Sequence, residues 1–317
     1  MPETPRPRIA IVGPTAVGKT ALAVELCQHF GGEVINADSR QVYRKMDIGT
    51  AKATAAELEL APHHLIDLLE PSEQFGLGSF LPLAEVASHD ITSRGKLPIV
   101  AGGTGQYVWA LLEGQPVLSA PPDPAFRSTL EAESQTEGGG QALHDRLRQI
   151  DPDRADALDA RNVRRVIRAL EIYHVTSQKP SEMGNSDAKT GNYLALGLTM
   201  DRKALYQRID DRVDAMMDAG FLAEVERLTE AGYLMGEGAL ASPGYRELGQ
   251  YLTGEFSLAE AISRTKTQTH RLARRQYTWF KLLDPRITWL DNSEPGTLEQ
   301  ATELVRAYLS ETSPVVQ

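Results

Sequence analysis

Gly13-Pro14-Thr15-Ala16-Val17-Gly18-Lys19-Thr20 fits the pattern G-x-x-x-x-G-K-[ST] at every fixed position, and the reading of the chain starts from it. Glycines at 13 and 18 permit backbone angles that turn successive N–H groups toward one anion. A helix starting at the end of the run adds its positive N-terminal dipole. Lys19 supplies a mobile cation, and the Thr20 hydroxyl is a candidate ligand for Mg²⁺. The flanks match: Ile9-Ala10-Ile11-Val12 reads as a buried parallel strand, and Thr20 to Phe30 places Leu22, Leu26 and Phe30 at helical spacing. The pattern identifies a di- or triphosphate binder. It does not identify ATP, because any pyrophosphate offers the same oxygens.

Outward from the loop, Gly31-Gly32 stop the helix, and a second strand over Glu33 to Ala37 ends at Asp38-Ser39. This order implies a right-handed βαβ unit and a parallel sheet. A third strand, Leu97 to Ala101, runs into Gly102-Gly103-Thr104-Gly105 and a helix to about Leu112. Leu65 to Leu68, Tyr193 to Leu198 and Ile287 to Leu290 are weaker strand candidates. Ala125 to about Lys179 is helical and charged, with no strand pattern. Helices are predicted over 202–219, 221–231 and 258–282, with a loose tail after about Ser310. The expected fold is therefore α/β: a P-loop-type parallel sheet flanked by helices over 1–120 and 190–317, with an all-helical insertion over 121–189.

The 317 residues suffice for such a core with a smaller second unit. There is no apolar run long enough to span a membrane and no apolar leader, so a cytoplasmic protein without a membrane partner is expected. A single cysteine, Cys27, excludes an internal disulfide and a cysteine zinc site, and it is expected in the core. The net charge of −10 argues against nucleic-acid binding unless basic residues are concentrated locally. They are, in two places: Arg161-Asn162-Val163-Arg164-Arg165 with Arg168, and a run with Arg264, Lys266, Arg271, Arg274, Arg275 and Lys281. No acid stands between Ala261 and Leu283.

An ordinary P-loop NTPase also places a carboxylate at the end of a nearby strand to hold Mg²⁺. The third strand ends Val100-Ala101-Gly102-Gly103, without one. Asp38, at the end of the second strand, faces the ligand crevice of an open α/β sheet. It is a candidate base or Mg²⁺-associated group; a turn aspartate is the competing reading. His63-His64 sit on opposite faces of a strand and make no metal pair, while Trp279 and Phe280 read as packing residues.

Several segments together resemble one family, the tRNA dimethylallyltransferases (tRNA isopentenyltransferases). The phosphate loop is similar to G-P-T-A-x-G-K-T, and Asp38-Ser39-Arg40-Gln41-Val42-Tyr43 resembles D-S-x-Q-x-Y. Met46 to Lys52, Pro62-His63-His64-Leu65-Ile66-Asp67 and Gly102-Gly103-Thr104-Gly105-Gln106-Tyr107 follow in the family's order. Gly244 to Leu248 and Arg274-Arg275-Gln276-Tyr277-Thr278-Trp279-Phe280 complete the set, which runs from about residue 9 to 290. Ala53, Ser242-Pro243 and His270 depart from it, where a proline, an apolar pair and an arginine are usual.

The resemblance implies transfer of a dimethylallyl group from dimethylallyl diphosphate to N6 of adenine 37 beside the anticodon. It implies a diphosphate on Gly13, Thr15, Ala16, Val17, Gly18, Lys19 and Thr20, with Mg²⁺ on Thr20. Asp38 matches the general base, Thr104 a residue near the leaving group, and Arg212 a further diphosphate contact. For Thr104 a helix cap, and for Arg212 a solvated face, stay open. Carried-over tRNA contacts are Asp38, Ser39, Arg40, Gln41, Thr104, Arg127, Arg161, Asn162, Val163, Arg164, Arg165, Arg274 and Arg275. The tRNA anticodon stem-loop is the expected partner and a monomer the expected state. The rivals are an adenylate isopentenyltransferase acting on free AMP, a P-loop small-molecule kinase, and a non-enzymatic P-loop protein.

Overall fold

Ile9 to Val12 are fully buried, so the first apolar run becomes a central strand and the glycine-rich loop leaves from its end. The structure, a computed structural model, is described for residues 8–114, 123–183 and 192–312. Along the chain the elements are β1 (Arg8–Val12), α1 (Lys19–Phe30), β2 (Gly32–Asn36), α2 (Ala55–Leu60), β3 (His63–His64), α3 (Leu77–Ser93), β4 (Leu97–Ala101) and α4 (Gly105–Leu112). Next come five helices, α5 (Pro124–Ser134), α6 (Gly139–Ile150), α7 (Pro152–Asp156), α8 (Val163–Thr176) and α9 (Pro180–Met183). The chain then returns to β5 (Tyr193–Thr199), α10 (Arg202–Asp218), α11 (Phe221–Glu230), α12 (Tyr245–Leu252), α13 (Leu258–Trp279), β6 (Ile287–Asp291) and α14 (Thr297–Thr312).

The six strands form one parallel sheet in the order β3-β2-β4-β1-β5-β6. Placing β4 between β2 and β1 levels three strand ends, since Ala101 pairs with Ile11 on one side and Asn36 on the other. The loops after β1, β2 and β4 therefore open at one edge, the ligand edge of a parallel α/β sheet. Ile9, Ile11, Leu26, Ile99, Leu196 and Leu198 fill one core against the sheet, and Cys27 is buried there. A second cluster packs Tyr43 and Met46 against Phe221, Val225 and Tyr245. Its centre is Glu224, a buried carboxylate that accepts the N–H groups of Asp47, Ile48 and Gly49 and the Tyr245 hydroxyl.

The chain divides into two compact units, Met1–Leu112 with Gly191–Gln317, and Glu113–Thr190. Among its described residues the regular elements of the second unit are all helices, packed around Leu130, Leu143, Leu147, Val166, Ile167 and Leu170.

The strand expected over Leu65 to Leu68 is not one. Pairing stops after His64, because Leu65 and Asp67 take left-handed φ values of 63° and 54° that leave the extended region. The Leu65 carbonyl there accepts the Asn36 side-chain amide at 3.0 Å. The helix expected over 258–282 ends at Trp279, where Phe280 turns away at φ −110°, ψ 80°. The loose tail expected after Ser310 is still helix to Thr312, and residues 313–317 lie outside the described ones. His63 and His64 stand on an edge strand, the first bonded to the Ala61 carbonyl and the second to Glu33.

Candidate active site

The loop after β1 is turned by three left-handed residues, Gly13 (φ 139°), Ala16 (φ 66°) and Gly18 (φ 108°). Gly18 caps α1 without a side chain, so the first-turn N–H groups of α1 meet no side-chain cap and face the crevice as an anion site. Two residues remote in sequence hold the loop from outside. The buried Gln276 of α13 accepts the Thr15 N–H through Oε1 at 2.7 Å and donates through Nε2 to the Gly103 carbonyl at 3.2 Å. Asn292, just past β6, donates to the Val17 carbonyl at 2.7 Å. The Thr15 N–H is thus spoken for, and the anion-facing donors of the loop are those nearer Gly18.

Lys19 folds back on its own loop, donating to the Pro14 carbonyl at 2.8 Å. Burial lowers its pKa to about 8, with Asp38 opposing that shift and Arg212 adding to it. Asp38 and Arg212 are therefore both within electrostatic reach of the Lys19 ammonium. Arg212 lies on α10 and its side chain is exposed, as the solvated-face reading has it; its pKa is drawn below the usual guanidinium value by desolvation first and then by Arg208, with Glu57 resisting.

Asp38 sits two residues beyond β2, half-buried. Its Oδ1 accepts the Arg40 N–H at 2.9 Å, and its own N–H donates to Asn36 Oδ1 at 3.1 Å. The carboxylate is fixed by one oxygen, and Oδ2 has no hydrogen-bond partner among the described residues. The turn reading of Asp38 is met, and its second oxygen stays open among the described residues. The Thr104 hydroxyl does not bond to a helix N–H. It accepts the Ser39 N–H at 3.0 Å, and Thr104 N–H donates to the Ala37 carbonyl at 3.2 Å, so the loops after β2 and β4 are stitched together. A Cβ on Gly103 would come within 2.1 Å of Gln276 Nε2 and 3.8 Å of Lys19 Nζ, so this loop also abuts the phosphate loop.

The remaining expected residues divide into committed and open ones. Arg40 donates to the Gly238 carbonyl at 3.2 Å, and Gln41 uses its amide on the carbonyls of Thr50 and Ala51. In the helical unit, Arg127 donates to both oxygens of the fully buried Glu171 at 2.9 Å. Arg161 pairs with Asp159 at 2.6 Å. Val163 packs on the helical core, so only its backbone stands at the start of α8. Asn162 precedes it as a helix cap whose side chain makes no capping bond. Arg164, Arg165, Arg274 and Arg275 are exposed and have no ion-pair partner among the described residues.

Thr20 lies in the first turn of α1, and its hydroxyl has no protein hydrogen bond among the described residues. A hydroxyl at this position of a phosphate loop is of the kind that ligates Mg²⁺ beside phosphate oxygens and waters. No group of three or more His, Cys, Asp or Glu that could hold a metal occurs among the described residues, and no described helix is long and apolar enough to cross a membrane. Gln276, Asn292 and Glu224 escape sequence reasoning. The available signal for Gln276 was a polar side chain one helical step from the buried Ala273; Asn292 carried none.

Residues 41–282 match the family model described as IPP transferase, and residues 8–67 match one described as isopentenyl transferase. The chain is 48% identical over 308 residues to a tRNA dimethylallyltransferase of Thermomicrobium roseum, covering 97% of this chain and 93% of that one. It is 47% identical over 308 residues to a tRNA dimethylallyltransferase of Shouchella clausii, covering 97% and 98%. The full-length tRNA isopentenylpyrophosphate transferase of Bacillus halodurans has a similar structure, with TM-score 0.71, 42% identity and coverage of 96% and 97%. A eukaryotic dimethylallyltransferase captured in crystals acting on tRNA is similar with TM-score 0.82, 34% identity and coverage of 98% and 81%.

Proposed function

The chain belongs to the IPP transferase family, that of the tRNA dimethylallyltransferases, and from this we propose that it transfers the dimethylallyl group of dimethylallyl diphosphate to N6 of adenine 37 in the tRNA anticodon loop. The observation that carries the reading is the meeting of Asp38, Lys19 and the Ser39–Thr104 bond at the level ends of β1, β2 and β4. A base, a phosphate cradle and a fixed hydroxyl then share one crevice.

The roles follow from charge. As the allylic C–O bond breaks, its electron pair leaves with the diphosphate. The first-turn N–H groups of α1, Lys19 and Arg212 receive that developing charge in place, without reorganisation. Thr20 would hold Mg²⁺, which when bound supplies further charge neutralisation on the diphosphate. The adenine N6 lone pair, weak through delocalisation, forms the new bond to the terminal allylic carbon, and Asp38 takes the N6 proton through its open oxygen. An unpaired loop base is the cheapest to bring to such a site. A tRNA acceptor agrees with work in the cytoplasm.

Free AMP as acceptor is the second reading. The exposed Arg164 and Arg165 at the start of α8 and Arg274 and Arg275 on α13 favour the macromolecular acceptor, since the single phosphate of AMP is too little anion for four cations. The deciding experiment is transfer of radiolabelled dimethylallyl, with Mg²⁺, to an anticodon stem-loop carrying adenine 37, to the same RNA with guanine there, and to AMP. Label on the adenine RNA alone is expected. Label on AMP alone, or ATP consumption without label, would overturn the proposal.

A further inference from the structure

Tyr107 closes the Gly102–Tyr107 segment, and the reaction above gives it no task. It lies in the first turn of α4, where its N–H donates to the Thr104 carbonyl at 2.9 Å. Thr104 is bonded in turn to Ser39, so Tyr107 stands one turn from the stitch between the loops after β2 and β4. Its ring stacks on Phe80 of α3, with centroids 4.4 Å apart and planes 14° apart. Phe75 meets the same ring edge-on at 6.1 Å. Two aromatic contacts at once fix the ring.

The other end of the side chain is unfinished. Tyr107 is only 4% exposed, yet its hydroxyl has no hydrogen-bond partner among the described residues. Buried tyrosines ordinarily find one, because an unmade bond at a buried polar group is costly. Two others in this chain do: Tyr245 donates to Glu224 at 2.7 Å, and Tyr308 to the Asn192 carbonyl at 2.8 Å. For packing alone, a phenylalanine would serve better at 107. Burial first, and then Tyr43, raise the phenol above its usual pKa; Arg40 opposes and Asp38 adds to the rise. The phenol therefore keeps its proton and is a standing donor. The charges it feels, Arg40 and Asp38, belong to the loop after β2, whereas those that act on Lys19 in the phosphate cradle are Asp38 and Arg212. Tyr107 thus stands on the side of Asp38 away from the diphosphate, where the accepting base must enter.

An adenine that presents its N6 amino group to Asp38 brings ring atom N1 beside it, an acceptor with an in-plane lone pair. Enzymes that take a base out of its stack read it by hydrogen bonds to its Watson–Crick edge. We propose that the Tyr107 hydroxyl donates to N1 of the accepting adenine while Asp38 receives the N6 proton; this rests on the RNA-acceptor reading above. The phenol keeps its own proton throughout. Guanine carries an N1–H at that place and an oxygen opposite Asp38, the reverse of what the two side chains offer. Tyr107 is a specificity-determining residue that completes its hydrogen bonding only on the correct base.

The test uses the full chain, dimethylallyl diphosphate with Mg²⁺, and anticodon stem-loops carrying adenine, 1-deazaadenine or 7-deazaadenine at position 37. Tyr107→Phe is expected to lower kcat/KM for the adenine RNA by roughly ten-fold, as for one lost hydrogen bond, leaving KM for the diphosphate within about two-fold. On the 1-deazaadenine RNA, which lacks N1, the two enzymes should work equally well. On the 7-deazaadenine RNA the ten-fold difference should persist. Comparing both enzymes on each RNA cancels any change in N6 nucleophilicity that the analogue itself brings. Phenylalanine keeps both ring contacts, so denaturant unfolding should find the variant no less stable than the parent. A variant fully active on adenine RNA, a difference that persists on 1-deazaadenine, or a clearly destabilised variant would overturn the inference. Transfer by the unaltered enzyme to the adenine stem-loop reports separately on the acceptor reading, so the two failures are distinguishable.

Discussion

Gln276 and Thr15, 261 residues apart in sequence, share a 2.7 Å hydrogen bond in which the helix side chain accepts the loop N–H. The same amide donates to the Gly103 carbonyl, so one buried side chain clamps the loops after β1 and β4. Gln276→Ala would leave a backbone N–H and a carbonyl without partners. We expect a loss of about 1–3 kcal/mol in stability by denaturant unfolding. A rise of roughly ten-fold in KM for the diphosphate should accompany it, as that energy is withdrawn from an ordered loop. Gln276→Glu keeps the acceptor but loses the donor and adds negative charge beside the phosphate site. It should bind diphosphate more weakly than the alanine variant; the reverse ranking would show that the clamp does not reach the ligand.

Lys19 gives a pH dependence. Its pKa is lowered to about 8, chiefly by burial, so the free enzyme loses this cation as pH rises through that value. Diphosphate affinity should therefore be full below about pH 7 and weaken above pH 8. Lys19→Arg, which stays charged throughout, should abolish the step even if it binds less well overall. For folding the sign is opposite. The unfolded lysine keeps its proton to higher pH than the folded one, so the cost of burying the charge is complete below pH 8 and is relieved as pH rises toward 10.5. Titration of diphosphate binding and of unfolding over pH 6.5 to 10 reads both.

The site was legible where local physics dictates it. A glycine-rich loop between a buried strand and a helix has few alternatives, and the strand ends then order Asp38 and Thr104 without further information. What stayed hidden depends on residues far apart in sequence. Gln276 looked like one more polar residue of a basic helix, and only the packing of α13 on the loops turns it inward. Helix α3 escaped because Pro82 lies inside it and its exposed face carries Leu83 and Val86, which blurs the apolar period. The apparent strand at Leu65 to Leu68 was apolar enough, but two left-handed residues there follow from tertiary hydrogen bonds, not from composition.

Asp38 has one oxygen held and one open, which separates two functions that a single substitution can test. Asp38→Asn keeps an acceptor for the Arg40 N–H but cannot take a proton. Turnover should fall by roughly 10²–10⁴-fold while the dissociation constant for the RNA changes little. Equal losses in turnover and RNA affinity would assign Asp38 to RNA placement instead of proton transfer.

Arg127 is the residue for which resemblance and structure point to different work. The resemblance makes it a tRNA contact, yet its guanidinium is spent on both oxygens of Glu171, which is fully buried and also accepts the Asp123 N–H and Arg168. Burial pushes the Glu171 carboxyl up, but the bonds from Arg127 and Arg168 more than reverse this and hold it below the ordinary glutamate value. Its stabilising effect is therefore present above the unfolded glutamate pKa, near 4.3, and is lost as pH falls through the lower folded value. Arg127→Ala leaves a buried carboxylate with only part of its compensation, and Arg168 remains to soften the loss. A cost of about 2 kcal/mol, below the range for a fully broken buried pair, is expected. Glu171→Gln should erase most of the acid sensitivity, and Arg127→Ala in that background should cost less than it does alone. RNA affinity measured well below the melting temperature completes the cycle. If Arg127→Ala weakens RNA binding equally with and without the Glu171 change, the guanidinium touches the RNA directly; if the loss shrinks with Glu171→Gln, Arg127 acts by keeping the helical unit folded.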